Sequence, residues 1–194
     1  MSYHLYQTRG FILRSAGIGE ANKVFFIFTE HLGLVAVSAQ SVRKVTSKLR
    51  YSLRDFSFVR LSLIRGKTAW RLTDAEELAS FSLENEMEKM KVFAGILSLV
   101  IRLIHGEEED AELFSVLLDA LFFLKKEELS LDDMKRAETL MVLKILSSLG
   151  YVGENGDLSR FISAPLSKSL LNIFEPHRRD ALIEVNRALE ESQL

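Results

Sequence analysis

The chain has 194 residues, 47% of them hydrophobic, which is enough for one large domain or two small ones with their own cores and excludes global disorder. It contains no cysteine, so disulfides, thiolate metal sites and a nucleophilic thiol are all excluded, and a reducing cytoplasm fits. The formal net charge of −2 conceals a division: residues 1–80 hold 12 Lys/Arg against 6 Asp/Glu, whereas residues 81–194 hold 13 against 21. The opening residues lack a basic stretch followed by an apolar one, and the longest apolar runs are too short to cross a bilayer, so a soluble, unprocessed, cytoplasmic protein is expected.

Along residues 5–78 the apolar pattern has short periods and glycine-marked turns, as strands do. In the first strand Leu5, Gln7, Arg9, Phe11 and Leu13 alternate with Tyr6, Thr8, Gly10 and Ile12. Gly17, Ile18 and Gly19 turn the chain into a β-branched and aromatic strand at 24–29. His31, Leu32 and Gly33 make the next turn, into a third strand at 34–39. A basic stretch follows, then an alternating strand at 58–64, which Arg65, Gly66 and Lys67 turn into a fifth at 68–73. Five short strands with a long interruption before the fourth predict a small closed Greek-key barrel, with an open sheet as the competing arrangement.

After residue 78 the period lengthens to about 3.6 residues. Met87, Met90, Phe93, Ala94, Leu97, Val100, Ile101 and Ile104 trace one helical stripe, ended by His105 and Gly106. Residues 113–124 form a second helix, apolar nearly all round and therefore expected to be buried. Ser130 caps a third, with Asp132 and Asp133 in its first turn and Gly150 at its end. Residues 153–157 read as a loop, and Pro165 and Pro176 each stand where a helix begins, at 166–174 and 177–191. The expected class is α+β in two domains: a β-barrel over residues 1–80 and an all-α helical domain over residues 81–194.

No catalytic constellation emerges. Gly17, Gly19 and Asn22 match only the opening of a dinucleotide fingerprint and lie between strands, so a plain turn is the stronger reading. His4, His31, His105 and His177 lack metal-ligand spacing, and the acids at 107–110 precede a helix whose dipole stabilises them, so neither metal nor cofactor is expected. One segment carries a physical demand. Residues 41–71 hold nine Lys/Arg and a single acid, Asp55. Between Ser41 and Arg54 the cations Arg43, Lys44, Lys48, Arg50 and Arg54 alternate with hydroxyls and Tyr51, and phosphates require the former while unpaired bases require an aromatic face. A solvated cationic loop with Tyr51 and Leu53 in the core explains the same residues equally well. Trp70 is a stacking platform or, with about twice the weight, a core residue.

The strings TRGFILR (8–14), GEANK (19–23) and FTEHLG (28–33) resemble the first three strands of the RecO family of recombination mediators. AQSVRK (39–44), SKL (47–49), LRDFS (53–57) and DAEEL (74–78) continue the resemblance. The second half is similar mainly in pattern, with ELF (112–114) and LGY (149–151) as the best local agreements. The resemblance implies an N-terminal five-stranded OB-fold that binds single-stranded and double-stranded DNA, a C-terminal helical domain, no enzymatic activity and no cofactor. It implies a role in DNA repair and recombination: strand annealing and, with RecR, assistance to RecA loading on DNA coated by single-strand-binding protein, whose acidic C-terminal tail is a further partner. Arg14, Lys23, Arg43, Lys44 and Lys48 occupy basic positions of the matching strings and are assigned to phosphates; Arg50, Tyr51 and Arg54 join them on charge and aromaticity. Lys89, Lys91 and Arg102 are the expected partner-binding cations of the helical half.

Three departures stand out. Many family members carry a four-cysteine zinc cluster just after LGY, where this chain has the short loop at 153–157; the proline expected before Phe56 is Asp55; and the chain ends sooner than the family pattern. A second function class, a non-enzymatic adaptor whose barrel binds protein or RNA instead of DNA, predicts no salt-dependent DNA affinity.

Overall fold

A computed structural model describes residues 4–45, 47, 49–67, 69–153 and 156–192, and the side chain of Arg50 lies outside that description. The chain forms two compact units, one of residues 1–85 with 104–111, the other of residues 86–103 with 112–194.

In the first unit β1 (Leu5–Ile18), β2 (Asn22–Thr29), β3 (Gly33–Ala39), β4 (Phe58–Arg65) and β5 (Trp70–Ala79) close into a barrel of order β1-β2-β3-β5-β4. A four-residue helix α1 (Leu49–Ser52) lies between β3 and β4. This is the OB-fold arrangement, and closure removes the open edges that the competing sheet would leave. Ile12, Phe25, Ile27, Val35, Val37, Leu61, Leu63 and Trp70 fill the interior, joined by Val42 and Leu53 from the β3–β4 connection. Several bounds differ from the sequence reading. β1 runs straight through Gly17 to Ile18, and the turn falls at Gly19, which takes a left-handed φ of +59°. β5 runs from Trp70 to Ala79, longer than the expected 68–73, because its charged residues continue to pair with β4 as far as Ala79 opposite Phe58, across register shifts at Phe58/Val59 and Ser62/Leu63. Trp70 belongs to the core: it is 3% exposed, edge-on to Tyr6 at 5.0 Å, and capped by the Arg65 guanidinium at 5.1 Å.

β3 pairs with β5 only at Val37 and Ser38, so half of one β3 edge would otherwise stand open. Residues 104–111 fill it. The Leu34 amide donates to the Gly106 carbonyl at 3.0 Å, and the Trp70 indole N–H donates to Glu107 at 3.1 Å. Arg65 pairs with Glu107 at 3.0 Å and His31 meets Glu109 at 3.3 Å. Gly33 permits this approach: its φ is +61°, and a Cβ there would sit 2.6 Å from the Glu108 nitrogen and closer still to the Glu108 carbonyl oxygen.

The second unit contains α2 (Met87–Leu103), α3 (Ala111–Lys126), α4 (Leu131–Ser148), α5 (Ser159–Ser163), α6 (Lys168–Phe174), a 3-10 turn at Glu175–His177 and α7 (Arg178–Glu191). The Ser130 hydroxyl accepts from the Asp133 amide while the Asp133 carboxylate accepts from the Ser130 amide, a complete capping box for α4. α4 is the central element, burying Leu140, Met141, Leu143, Ile145 and Leu146 in succession. α3 is more one-sided than its composition suggests: Leu113, Leu117, Leu121 and Leu124 are buried, yet Phe122 is 53% exposed. The helix expected at 166–174 starts later, at Lys168, because Ser167 and not Pro165 provides the cap. α5 is an element the periodicity missed. Its last carbonyls, Ile162 and Ala164, accept from the buried Lys144 ammonium, whose pKa burial pushes down. Among the described residues, no helix is long and apolar enough to cross a membrane.

Candidate nucleic-acid interface

The arginines and lysines of the barrel divide into two populations. Arg9 pairs with Glu30 at 2.5 Å, Arg54 with Glu77 at 2.7 Å, Arg60 with Glu76 at 2.5 Å and Arg65 with Glu107 at 3.0 Å. Two of these pairs are strong enough to move pKa values: the hydrogen bond from Arg9 lowers that of Glu30, and the bond to Glu77 raises that of Arg54. By contrast Arg14, Lys23, Arg43, Lys44, Lys67 and Arg71 make no ion pair among the described residues. Charge without an internal partner is what a polyanion can use.

A β-bulge decides where these free cations point. The β1–β2 register shifts between Ile12, opposite Ile27, and Arg14, opposite Phe26, so that Leu13 is the extra residue. Simple alternation would put Arg14 on the same face as Ile12, inside the barrel. The bulge reverses the parity, and Arg14 emerges on the outer face with its guanidinium 4.2 Å from the Phe26 ring centroid. Beyond the bulge Ser15 and Gly17 take the inner side, opposite Phe25 and Lys23.

Two cationic faces result. On the outer face Arg14, Phe26 and Ala36 lie in one row of the ladder, with Ala16, Val24 and Ser38 in the next and Arg71 beside Ser38. Arg14, Ala16, Ala36 and Arg71 are exposed, and the half-buried Phe26 ring lies among small residues beneath the Arg14 guanidinium. This is the strand face that OB-folds offer to oligonucleotides. At the barrel mouth, Lys23, Phe25, Val42, Arg43 and Leu53 line an open depression of about 340 Å³. The Lys23 ammonium lies 5.7 Å from the Phe25 ring and donates to the Ser15 hydroxyl at 3.3 Å. Arg43 is held at the rim by its amide on the Ala21 carbonyl (3.0 Å) and its guanidinium on the Gly19 carbonyl (2.9 Å). Asn22 buttresses the loop by accepting from the Ser41 amide at 2.8 Å, which supports a left-handed Ser41.

The residues expected from the sequence to bind DNA thus fall in several places. Lys23 and Arg43 come together at the mouth, Lys44 follows Arg43 as an exposed residue of the same loop, and Arg14 goes to the other face. Lys48 and the Arg50 side chain lie outside the described residues. Tyr51 is 73% exposed while Leu53 is buried, so the loop splits between the two readings of it. Arg54 is fully engaged, with bidentate bonds to Glu77 and a further one to Ser80 at 2.7 Å. Phe26 carries no signal in the sequence and Arg71 only that of the basic stretch at 41–71, because cross-strand register alone puts them on one surface with Arg14. In the helical unit Lys89, Lys91 and Arg102 do not form a cluster. Lys89 donates to the Glu127 carbonyl at 2.7 Å, Lys91 pairs with Glu88, and Arg102 stands eleven residues further along α2, about 16 Å away.

Comparison with known proteins agrees with this architecture. Residues 1–81 match the family described as Recombination protein O N terminal. The chain is 34% identical over 125 residues to the DNA repair protein RecO of Rubrobacter xylanophilus, covering 64% of this chain and 50% of that one. It is 29% identical over 148 residues to the DNA repair protein RecO of Clostridium novyi (76% and 57%) and 30% identical over 155 residues to that of Dehalococcoides mccartyi (78% and 58%). The chain spans a little over half the length of the curated relatives it matches. With a five-stranded barrel built from the matched residues and a helical unit after it, the chain is similar to proteins of the RecO family.

Proposed function

We propose that this protein acts in DNA repair and homologous recombination as a non-enzymatic mediator that binds single-stranded DNA through its barrel. In this reading residues 1–80 handle nucleic acid and residues 81–194 serve partners. The observation that carries it is the set of unpaired cations, Lys23 and Arg43 at the mouth with Lys44 next to Arg43 in the chain, and Arg14 and Arg71 on the outer face beside the half-buried Phe26, on a barrel whose other described arginines are neutralised by carboxylates. Cations fix the phosphates while aromatic faces stack bases, and neither group does chemistry on the strand. Strand annealing and RecA loading with RecR, on DNA coated by single-strand-binding protein, are the activities such binding would serve in a cytoplasmic, nucleoid-associated setting. Double-stranded DNA would be held through the same cations.

The test is fluorescence anisotropy of a labelled single-stranded oligonucleotide at several salt concentrations. Affinity should fall linearly on a log–log scale, and the Arg43→Ala, Lys44→Ala, Lys48→Ala triple variant should lower the slope by about 0.7 for each phosphate that is no longer neutralised. No binding at low salt would exclude the DNA reading and favour an adaptor that binds protein or RNA.

A further inference from the structure

We infer that the barrel holds two single strands at once, one on the outer face and one at the mouth, and so presents them to each other for pairing. This rests on the DNA reading above and concerns how the site is divided. A single continuous groove would put all the unpaired cations on one surface. The bulge at Leu13 does the opposite: Arg14 and Phe26 leave the β1–β2 hairpin on its outer side, while Ser15, Lys23 and Phe25 take the other. Each side carries its own cations. The outer face has Arg71 for phosphate and the Arg14 guanidinium laid over the half-buried Phe26 ring at 4.2 Å, a cation–aromatic pair on which a base can stack, with the exposed Ala16 and Ala36 leaving room beside it. The mouth has Lys23 and Arg43 for phosphate, with Lys44 next in the chain, and its depression of about 340 Å³ has an apolar floor of the buried Phe25, Val42 and Leu53.

The short path between the faces runs over the β1–β2 turn, and the exposed Glu20 stands there between Gly19 and Ala21. A phosphate backbone crossing from one face to the other meets that carboxylate, so like-charge repulsion disfavours one strand wrapping both sides. Arg14 and Lys23 are only three ladder positions apart, about 10 Å. Two backbones anchored there are close neighbours whose negative charges are separately neutralised, and bases not held by the protein remain free to pair.

Native mass spectrometry of the full chain with two non-complementary oligonucleotides of about 10 nucleotides, within the span of one OB barrel, tests this directly. The expected saturated species is one protein with two strands, including the mixed species. The Arg14→Ala, Arg71→Ala variant and the Arg43→Ala, Lys44→Ala variant should each retain one strand. Each should also anneal complementary oligonucleotides at least tenfold more slowly than the parent, with the emission of Trp70 unchanged. A parent that saturates at one strand per protomer overturns the inference and leaves the DNA reading intact, as does a loss of all binding in either double variant. A parent that binds no DNA at low salt overturns both.

Discussion

Gly33→Ala tests how the acidic segment at 104–111 is seated on the barrel. Two costs add. The backbone at this position is left-handed, with φ of +61°, which an L-alanine tolerates at a cost of about 1 kcal/mol. The new Cβ would also lie 2.6 Å from the Glu108 nitrogen, so backbone must move, and the neighbouring bonds from Leu34 to Gly106 and from Trp70 to Glu107 lengthen or break, at about 1 kcal/mol each. The sum is about 3 kcal/mol, or a urea midpoint lower by roughly 1.5 M at a slope near 2 kcal/mol/M. The single tryptophan of the chain reports on it without a label, because the Trp70 indole is the group bonded to Glu107. Its emission should shift to the red in the folded variant, and Glu107→Ala should give the same shift with about 1 kcal/mol of destabilisation. A Gly33→Ala protein with the parental midpoint and parental emission would refute the seating of this segment.

Phe26→Ala removes an aromatic face worth about 1 to 3 kcal/mol per stacked base and should weaken single-strand affinity about 5- to 150-fold with little change in salt slope, read by anisotropy. Arg54→Ala should leave the salt slope nearly unchanged, because Glu77 and Ser80 already occupy that guanidinium, whereas Arg43→Ala lowers it by about 0.7. Ser130→Ala breaks the α4 capping box and should cost about 1 kcal/mol in the unfolding of the helical unit followed by circular dichroism. Acid should destabilise both units. Arg9 holds the Glu30 carboxyl, and Ser130 the Asp133 carboxyl, below their ordinary values, so this stabilisation is whole above about pH 4 to 4.5 and is lost as pH falls through the depressed folded-state values. A urea midpoint that rises on acidification below pH 4 would contradict that sign.

Local signals were legible in the residues alone. The glycine between His31 and Leu34, the Ser130 cap with an acid three residues on, and the 3.6-residue stripe from Met87 each involve neighbours within one turn, so the chain declares them without knowing its fold. The barrel followed from strand number and from the long interruption before β4, and the excess of positive charge in residues 41–71 required no coordinates. Tertiary structure decided the rest. Whether an arginine is free depends on which carboxylate the sheet register puts opposite it: Arg60 faces Glu76 across β4 and β5, whereas Arg14 faces Phe26. One inserted residue, Leu13, reverses which side of β1 every later side chain takes, and periodicity of two cannot reveal where such a slip occurs. The acids at 107–110, which read as lying directly ahead of a helix, do precede α3 and in addition complete an edge of the barrel more than 70 residues earlier in the chain, through a glycine that gives no hint of what will pack against it. Composition and local pattern thus determined which groups the barrel possesses. Long-range register determined which of them remain free and on which face, because ion pairing and strand parity depend on residues that are distant in sequence.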